Sequence, residues 1–298
     1  MKSRLFRPPL PVDLPSTLGP LRRGKGDPTI RIGPREVLRA TRTPEGPGTQ
    51  RLVADSGYVQ VQAWGPGAEW LLDRAPALVG SEDTVDGFRP LEPLLRDLDK
   101  RSRGLRIGRS AAVVETLIPT ILEQKVTGIE ARRSWHKIIR AYGETAPGPF
   151  ELMLPPHPSV LASVPYFELH PLGVERKRAS IVQAVCSYAM RLEETDGLDL
   201  PSAYRRLRAV PGVGPWTAAH AGMIALGDPD AVVVGDLHLP SLVAWKMAGE
   251  PRADDRRMLE LLEPYRGHRA RVIRLLEGSP GHAPSYAPRL RLRAIERT

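Results

Sequence analysis

A chain of 298 residues with an apolar content of 41% is long enough for two domains with cores of their own. A formal net charge of +9 favours a polyanionic partner, while a single cysteine, Cys186, excludes an internal disulfide and a four-cysteine iron–sulfur cluster. No apolar run approaches the roughly 18 residues of a membrane span, and MKSRLFRPPLPVDLP lacks a secretory apolar core, so an intracellular protein without membrane contact is expected.

In chain order, residues 1–25 are rich in proline and basic side chains and read as irregular. TIRI, EVLRATRT, TQRLVAD and YVQVQAW then alternate as strands between Gly, Pro and Ser turns, with Ser56-Gly57 as a tight hairpin. Gly67 to Leu72 opens a helix whose apolar face continues through Ala75 and Leu78. Residues 1–106 are therefore expected to form a small antiparallel sheet carrying a helix or two. From Ile107 the period is helical. Plausible helices are Ser110–Gln124, Gly128–Tyr142, Ser159–Val164, Glu175–Glu193, Ser202–Arg208, Pro215–Leu226, Asp236–Ala248, Asp254–Leu262 and His268–Leu276. Cys186 lies among Ile181, Val182, Val185 and Met190 at helical spacing and reads as a buried apolar residue. Residues 279–298, with Arg289, Arg291, Arg293 and Arg297, read as a solvated basic tail. The fold class is α+β: an N-terminal antiparallel β-sheet domain (1–106), then an all-α domain (107–278) with a helical hairpin at 207–226.

The most specific segment is LRAVPGVGPWTAAHAGMIALGDPDAVVVGDLHL, from Leu207 to Leu239. Pro211 ends one helix, Gly212 and Gly214 permit positive φ and close backbone approach, and Pro215 suits the first position of the next helix. The unpaired N–H groups and dipole of that helix form an anion site. A bare PGVG turn is ordinarily a packing corner. Here the flanking amphipathic helices and the isolated acid Asp236 shift the reading to DNA. Asp236, after the apolar run Val232 to Val234, reads as the cap of the following helix, which would hold its carboxylate rigid and ionised.

These residues resemble the helix-hairpin-helix and Gly/Pro-Asp signature of the DNA glycosylase superfamily, and within it the bacterial 3-methyladenine DNA glycosylase II branch. IPTILEQKVT, from Ile118 to Thr127, resembles the family helix that ends at the minor-groove plug. Leu154 to Pro158 and Leu172 to Ala179 resemble its Pro-rich loop and following helix.

The resemblance implies a DNA glycosylase acting in base excision repair on double-stranded damaged DNA, with Asp236 as catalytic aspartate. Trp216 stands where bifunctional members carry a lysine, which implies a water nucleophile and no strand cleavage. Trp216, His220 and Phe167 are candidates for the base pocket, with core packing as the alternative for each. Phosphate contacts are expected from the N–H groups of Gly212, Gly214 and Trp216 and from Arg266, His268 and Arg269. The carbonyls of Arg208, Val210 and Val213 are expected to bind sodium or potassium, with no other cofactor. Gln124 and Lys125 are expected to fill the gap left by a flipped nucleotide, Lys125 standing where the branch carries an apolar wedge. His238 reads as structural, and Arg269, Arg271 and Arg274 stand where relatives are richer in aromatics. The implied substrate is an alkylated purine of the 3-methyladenine type. The alternatives are a neutral lesion, such as hypoxanthine or an oxidised purine, and a non-catalytic DNA-damage binder. A monomer in a bacterial cytoplasm, associated with the nucleoid, is expected.

Overall fold

The computed structural model describes residues 1–281, 283 and 284. The N-terminal layer comprises β1 (Lys2–Phe6), α1 (Leu14–Leu18), β2 (Ile30–Ile32), β3 (Glu36–Thr43), β4 (Gly46–Asp55), β5 (Tyr58–Trp64) and α2 (Ala68–Leu78). The five strands form an antiparallel sheet in the order β1-β5-β4-β3-β2. Val37 pairs with Leu52 and Leu52 with Val61, so the alternating apolar positions line up across one face. That face buries Leu14, Leu18, Leu71, Ala75 and Leu78.

Residues 1–25, expected to be irregular, instead carry a strand and a short helix. Lys2 to Phe6 pair with Ala63 to Val59 as an edge strand. Its residues are almost all exposed, so no apolar alternation marks it in the sequence. Further on, α1 is capped by Asp13, whose carboxylate accepts the Ser16 N–H.

The helical part comprises α3 (Pro93–Arg101), α4 (Val113–Leu122), α5 (Gly128–Tyr142), the short pair β6 (Glu144–Thr145) and β7 (Met153–Leu154), α6 (Pro158–Ser163), α7 (Tyr166–Leu169), α8 (Arg176–Ser187), α9 (Ala189–Glu193), α10 (Leu200–Arg208), α11 (Pro215–Ala225), α12 (Leu239–Ala248), α13 (Asp255–Leu262) and α14 (Arg269–Glu277). One core joins α4, α5, α8, α10 and α11 through Leu117, Ile121, Trp135, Val182, Leu207 and Ala221. A second joins α12, α13 and α14, and Leu95, Leu98 and Leu105 belong to it. The chain between sheet and bundle therefore straps the C-terminal helices together. The buried pair Arg271–Asp83, 2.5 Å apart, fastens the strap. Arg39 of β3, 3.0 Å from Glu115 of α4, ties the sheet to the first core.

Two helix starts shift by three residues, and one expected helix is split in two. α4 starts at Val113 because Ser110 and Ala111 donate their N–H groups to Ile224 and Ala225, with Ala111 at φ +53°. Residues 175–193 form two helices with a break at Tyr188. α12 starts at Leu239, three residues beyond Asp236. Cys186 is buried, and burial pushes its thiol up to about 12, so it acts as an apolar side chain. Arg289, Arg291, Arg293 and Arg297 lie outside the described residues. Among the described residues no helix is long and apolar enough to cross a membrane.

Candidate active site

The hairpin is built from its caps. Asp199 accepts the Ser202 N–H at 2.9 Å and starts α10. The turn closes through the Val213 N–H to the Val210 carbonyl at 3.0 Å, and both valine side chains are buried. Gly212 sits at φ +89°, and a Cβ there would lie 2.5 Å from Ile181 of α8. Only glycine meets both conditions. Pro215 then opens α11. Among the described residues no acceptor takes the N–H groups of Gly212, Gly214 or Trp216. Three donors thus point out of a rigid corner at the positive end of a helix, as an anion site requires.

Asp236 lies beside this corner. Its Oδ1 accepts the N–H groups of His238 and Leu239, each at 2.8 Å, and its Oδ2 accepts the indole N–H of Trp216 at 3.1 Å. The carboxylate therefore bridges the entry to α12 and the first turn of α11. Gly235, at φ +81°, donates to Asp255 at 2.8 Å and holds the preceding residue. Burial alone would raise the Asp236 carboxyl. The two N–H groups, the indole and His220 outweigh it and hold the carboxyl below the usual carboxylate range.

Trp216 and His220 follow one another on α11, their ring centroids 4.5 Å apart at 64°. Burial pushes the His220 imidazole down to about 4; Arg23 adds to the shift and Asp236 opposes it. His220 is consequently neutral at pH 7. Three residues further along α11, Met223 lines a cavity together with Pro20, Leu21 and Arg274. Trp216, His220 and Met223 thus follow one another along α11, with Trp216 bound to Asp236 and Met223 at that cavity.

Other expected site residues are placed as follows. Lys125 is exposed at φ +57°, at the tip of the turn between α4 and α5. Gln124 beneath it donates to the Gly212 carbonyl at 3.1 Å and to Thr217 Oγ1 at 3.0 Å, locking this tip to the hairpin. Phe167 is 72% exposed on α7, which packs on α8, and no described contact brings it to Asp236. His238 is exposed directly before α12. The three expected phosphate contacts near α14 are turned to protein partners. Arg269 is committed to Asp230 through Nε at 2.8 Å and Nη2 at 2.5 Å, and is largely buried. His268 faces the Asp86 carbonyl at 3.1 Å and stacks near Phe88. Arg266 makes a bidentate pair with Glu263. Each of the three, expected to contact phosphate, has a partner within the protein.

The sequence reading missed two groups: the Trp216–Asp236 bond and the charge of Arg23 acting on His220. Their partners are distant in the chain. The first has a direct test. Trp216→Phe keeps an aromatic ring but removes the donor to Oδ2. A hydrogen bond to a charged group contributes about 1.5–3 kcal/mol, so base release is expected to slow roughly tenfold or more. The acid limb of the pH–rate profile should move to higher pH, because Asp236 loses a group that keeps it ionised. An unmoved limb would make Trp216 a packing residue only.

No family model matches the chain. Its sequence is 31% identical over 151 residues to the probable bifunctional transcriptional activator/DNA repair enzyme AlkA of Mycobacterium tuberculosis, across 50% of this chain and 30% of that protein. It is 27% identical over 177 residues to DNA-3-methyladenine glycosylase 2 of Escherichia coli, across 59% of this chain and 61% of the relative. The matches thus span less than two thirds of either relative. The fold is similar to the 3-methyladenine DNA glycosylase of Archaeoglobus fulgidus, with a TM-score of 0.76 at 18% identity over 92% of this chain and 97% of the other. It is also similar to the Clostridium acetobutylicum 8-oxoguanine glycosylase/lyase, with a TM-score of 0.63 at 14% identity over 92% and 93%. The α+β architecture is therefore similar to that of these two DNA glycosylases. In sequence the resemblance is to the 3-methyladenine DNA glycosylase II branch.

Proposed function

We propose that this chain is a monofunctional DNA glycosylase that hydrolyses the N-glycosidic bond of alkylated purines of the 3-methyladenine type, leaving an abasic site. The observation that carries this reading is Asp236, fixed by three donors beside a turn where the Gly212, Gly214 and Trp216 N–H groups have no acceptor among the described residues. The hairpin would grip a phosphate while the flipped nucleotide brings its sugar to Asp236. Breaking the bond builds positive charge on the sugar, which a fixed, ionised carboxylate stabilises. Asp236 would then orient the attacking water and take its proton. Trp216, at the start of α11, has no amine and cannot form a Schiff base.

The Arg208 and Val213 carbonyls accept no hydrogen bond among the described residues, and the Val210 carbonyl accepts one, leaving a lone pair. These three fit a sodium or potassium ion, which when bound would bring positive charge between hairpin and phosphate. Lys125, exposed beside the hairpin, would enter the gap left by the flipped nucleotide. Gln124 would hold its base, since its amide is already committed. Double-stranded damaged DNA is the partner in this reading, with the protein acting as a monomer.

The test is incubation with methylated genomic DNA, followed by mass spectrometry of the released bases. Free 3-methyladenine and 7-methylguanine are expected. Affinity without product would leave a non-catalytic binder. Borohydride should trap no covalent protein–DNA adduct, and an adduct would overturn the monofunctional reading.

A further inference from the structure

We propose that the loop 22–27, together with Arg132 of α5, is a second grip on the DNA backbone, taking phosphates of the duplex beside the flipped nucleotide. It deepens the glycosylase reading, on which it rests, by adding a contact outside the hairpin. The loop reads RRGKGD. Arg22, Lys25 and Arg132 are exposed, and none of the three makes an ion pair among the described residues. The neighbouring acids are already committed. Asp27 is buried and turned into its own loop, where it accepts the N–H groups of Arg23 at 2.7 Å and Thr29 at 3.0 Å. Glu123 faces Arg23 at 3.5 Å, Glu130 closes the capping box with Thr127, and Glu151 lies 3.9 Å from Arg31.

Packing fixes this loop against the tip that carries Lys125. Arg23 reaches Thr120 Oγ1 of α4 at 3.5 Å, and His136 Nε2 of α5 meets the Arg23 carbonyl at 2.9 Å. Gly24 sits at φ +85°, and a Cβ there would overlap Arg132 Cδ, so the arginine crosses the loop only over a glycine. Its Nη1 then stands 3.2 Å from the place of a Cβ on Gly128, at the start of α5 just after Lys125. The same tip is bonded through Gln124 to Gly212 and Thr217 of the hairpin. Hairpin, Lys125 and basic loop therefore belong to one rigid assembly.

The chemistry of the surface suits consecutive phosphates. Among the described residues no acceptor takes the N–H groups of Gly24, Lys25 or Gly26, and both glycines have positive φ, so backbone donors add to the cations. An open hollow lined by Arg22, Lys25, Gly26, Arg31 and Glu151 continues the surface towards β2. Arg266 and Arg269, by contrast, are paired with Glu263 and Asp230 and have no charge to offer. Unpaired like charges held side by side repel one another, and a polyanion removes that cost while it releases its counterions.

Equilibrium binding to an abasic-site duplex should be measured from about 50 to about 300 mM salt, beside single-turnover base release at saturating protein. Four proteins are compared: wild type, a triple variant with Arg22→Ala, Lys25→Ala and Arg132→Ala, a charge-keeping triple with Arg22→Lys, Lys25→Arg and Arg132→Lys, and Arg140→Ala. Arg140 is an exposed cation in the last turn of α5 and serves as the control for net charge. The alanine triple is expected to lower the slope of log affinity against log salt by about two to three units and to weaken binding at about 100 mM salt at least about tenfold. The charge-keeping triple should hold the slope within about one unit, and Arg140→Ala should change it by less than about half a unit. Base release at saturation should stay within about twofold of wild type in all of them. An unchanged slope in the alanine triple, an equal fall in the charge-keeping triple, or a fall per charge matched by Arg140→Ala would each overturn the proposal. The expected fall in slope with no base release by wild type would keep this surface and remove the glycosylase reading. A wild type that binds no duplex would remove both.

Discussion

Asp236→Asn is expected to slow base release by on the order of two to three decades, with affinity for damaged duplex nearly unchanged. The asparagine carbonyl can still accept the N–H groups of His238 and Leu239, so the turn into α12 is kept. Its amide would then face the Trp216 N–H, donor against donor, where Oδ2 now accepts. What disappears is the negative charge beside Trp216. The proposed phosphate grip is separate: it would come from backbone N–H groups of the hairpin, which this substitution does not touch. Single-turnover excision and equilibrium binding to an abasic-site duplex separate the two effects. Wild-type excision by the variant would remove Asp236 from the chemistry. The same carboxylate sets the sign of the stability dependence. Its folded-state pKa is depressed, so its contribution is fully present above the unfolded pKa and is lost as pH falls through the lower, folded one.

The readable parts of this fold were those in which one element states its own environment. β3, β4 and β5 alternate, and a sheet with one packed face requires alternation. The hairpin was readable because Gly212 and Pro215 each answer a local backbone demand. Asp236 was readable because its two backbone donors lie two and three residues on. The unreadable parts depend on partners far along the chain. β1 is an edge strand with no buried stripe. α3 offers only Leu95 and Leu98, and its packing against α14 is set by tertiary contacts. Arg269 was expected to contact phosphate, yet its acceptor Asp230 stands 39 residues earlier.

Replacing Glu193 by alanine is expected to destabilise the protein by about 2–4 kcal/mol, since two backbone donors would lose their acceptor inside the fold. Ala112 at the N-cap of α4 has no side chain able to cap, and Glu193 from α9 does so instead. Its oxygens accept the N–H groups of Val113 and Val114 at 2.9 and 2.8 Å. Burial pushes this carboxyl up to about 7, against the pull of the two N–H groups and with added repulsion from Glu115 and Asp196. Between the ordinary glutamate value and about 7 the folded state therefore holds a proton that the unfolded chain releases, and stability falls as pH rises through that window. Urea midpoints measured across it should fall for wild type and lose that component in Glu193→Gln, with a difference of about 2–3 kcal/mol between the ends. Parallel curves would show that Glu193 does not titrate there. The consequence reaches the site, because α4 packs on α11 and leads to Gln124, which holds the hairpin at Gly212 and Thr217. A frayed α4 should therefore weaken DNA binding in the alanine variant even where the fold survives, and addition of abasic-site duplex should recover part of the lost midpoint by binding the ordered form.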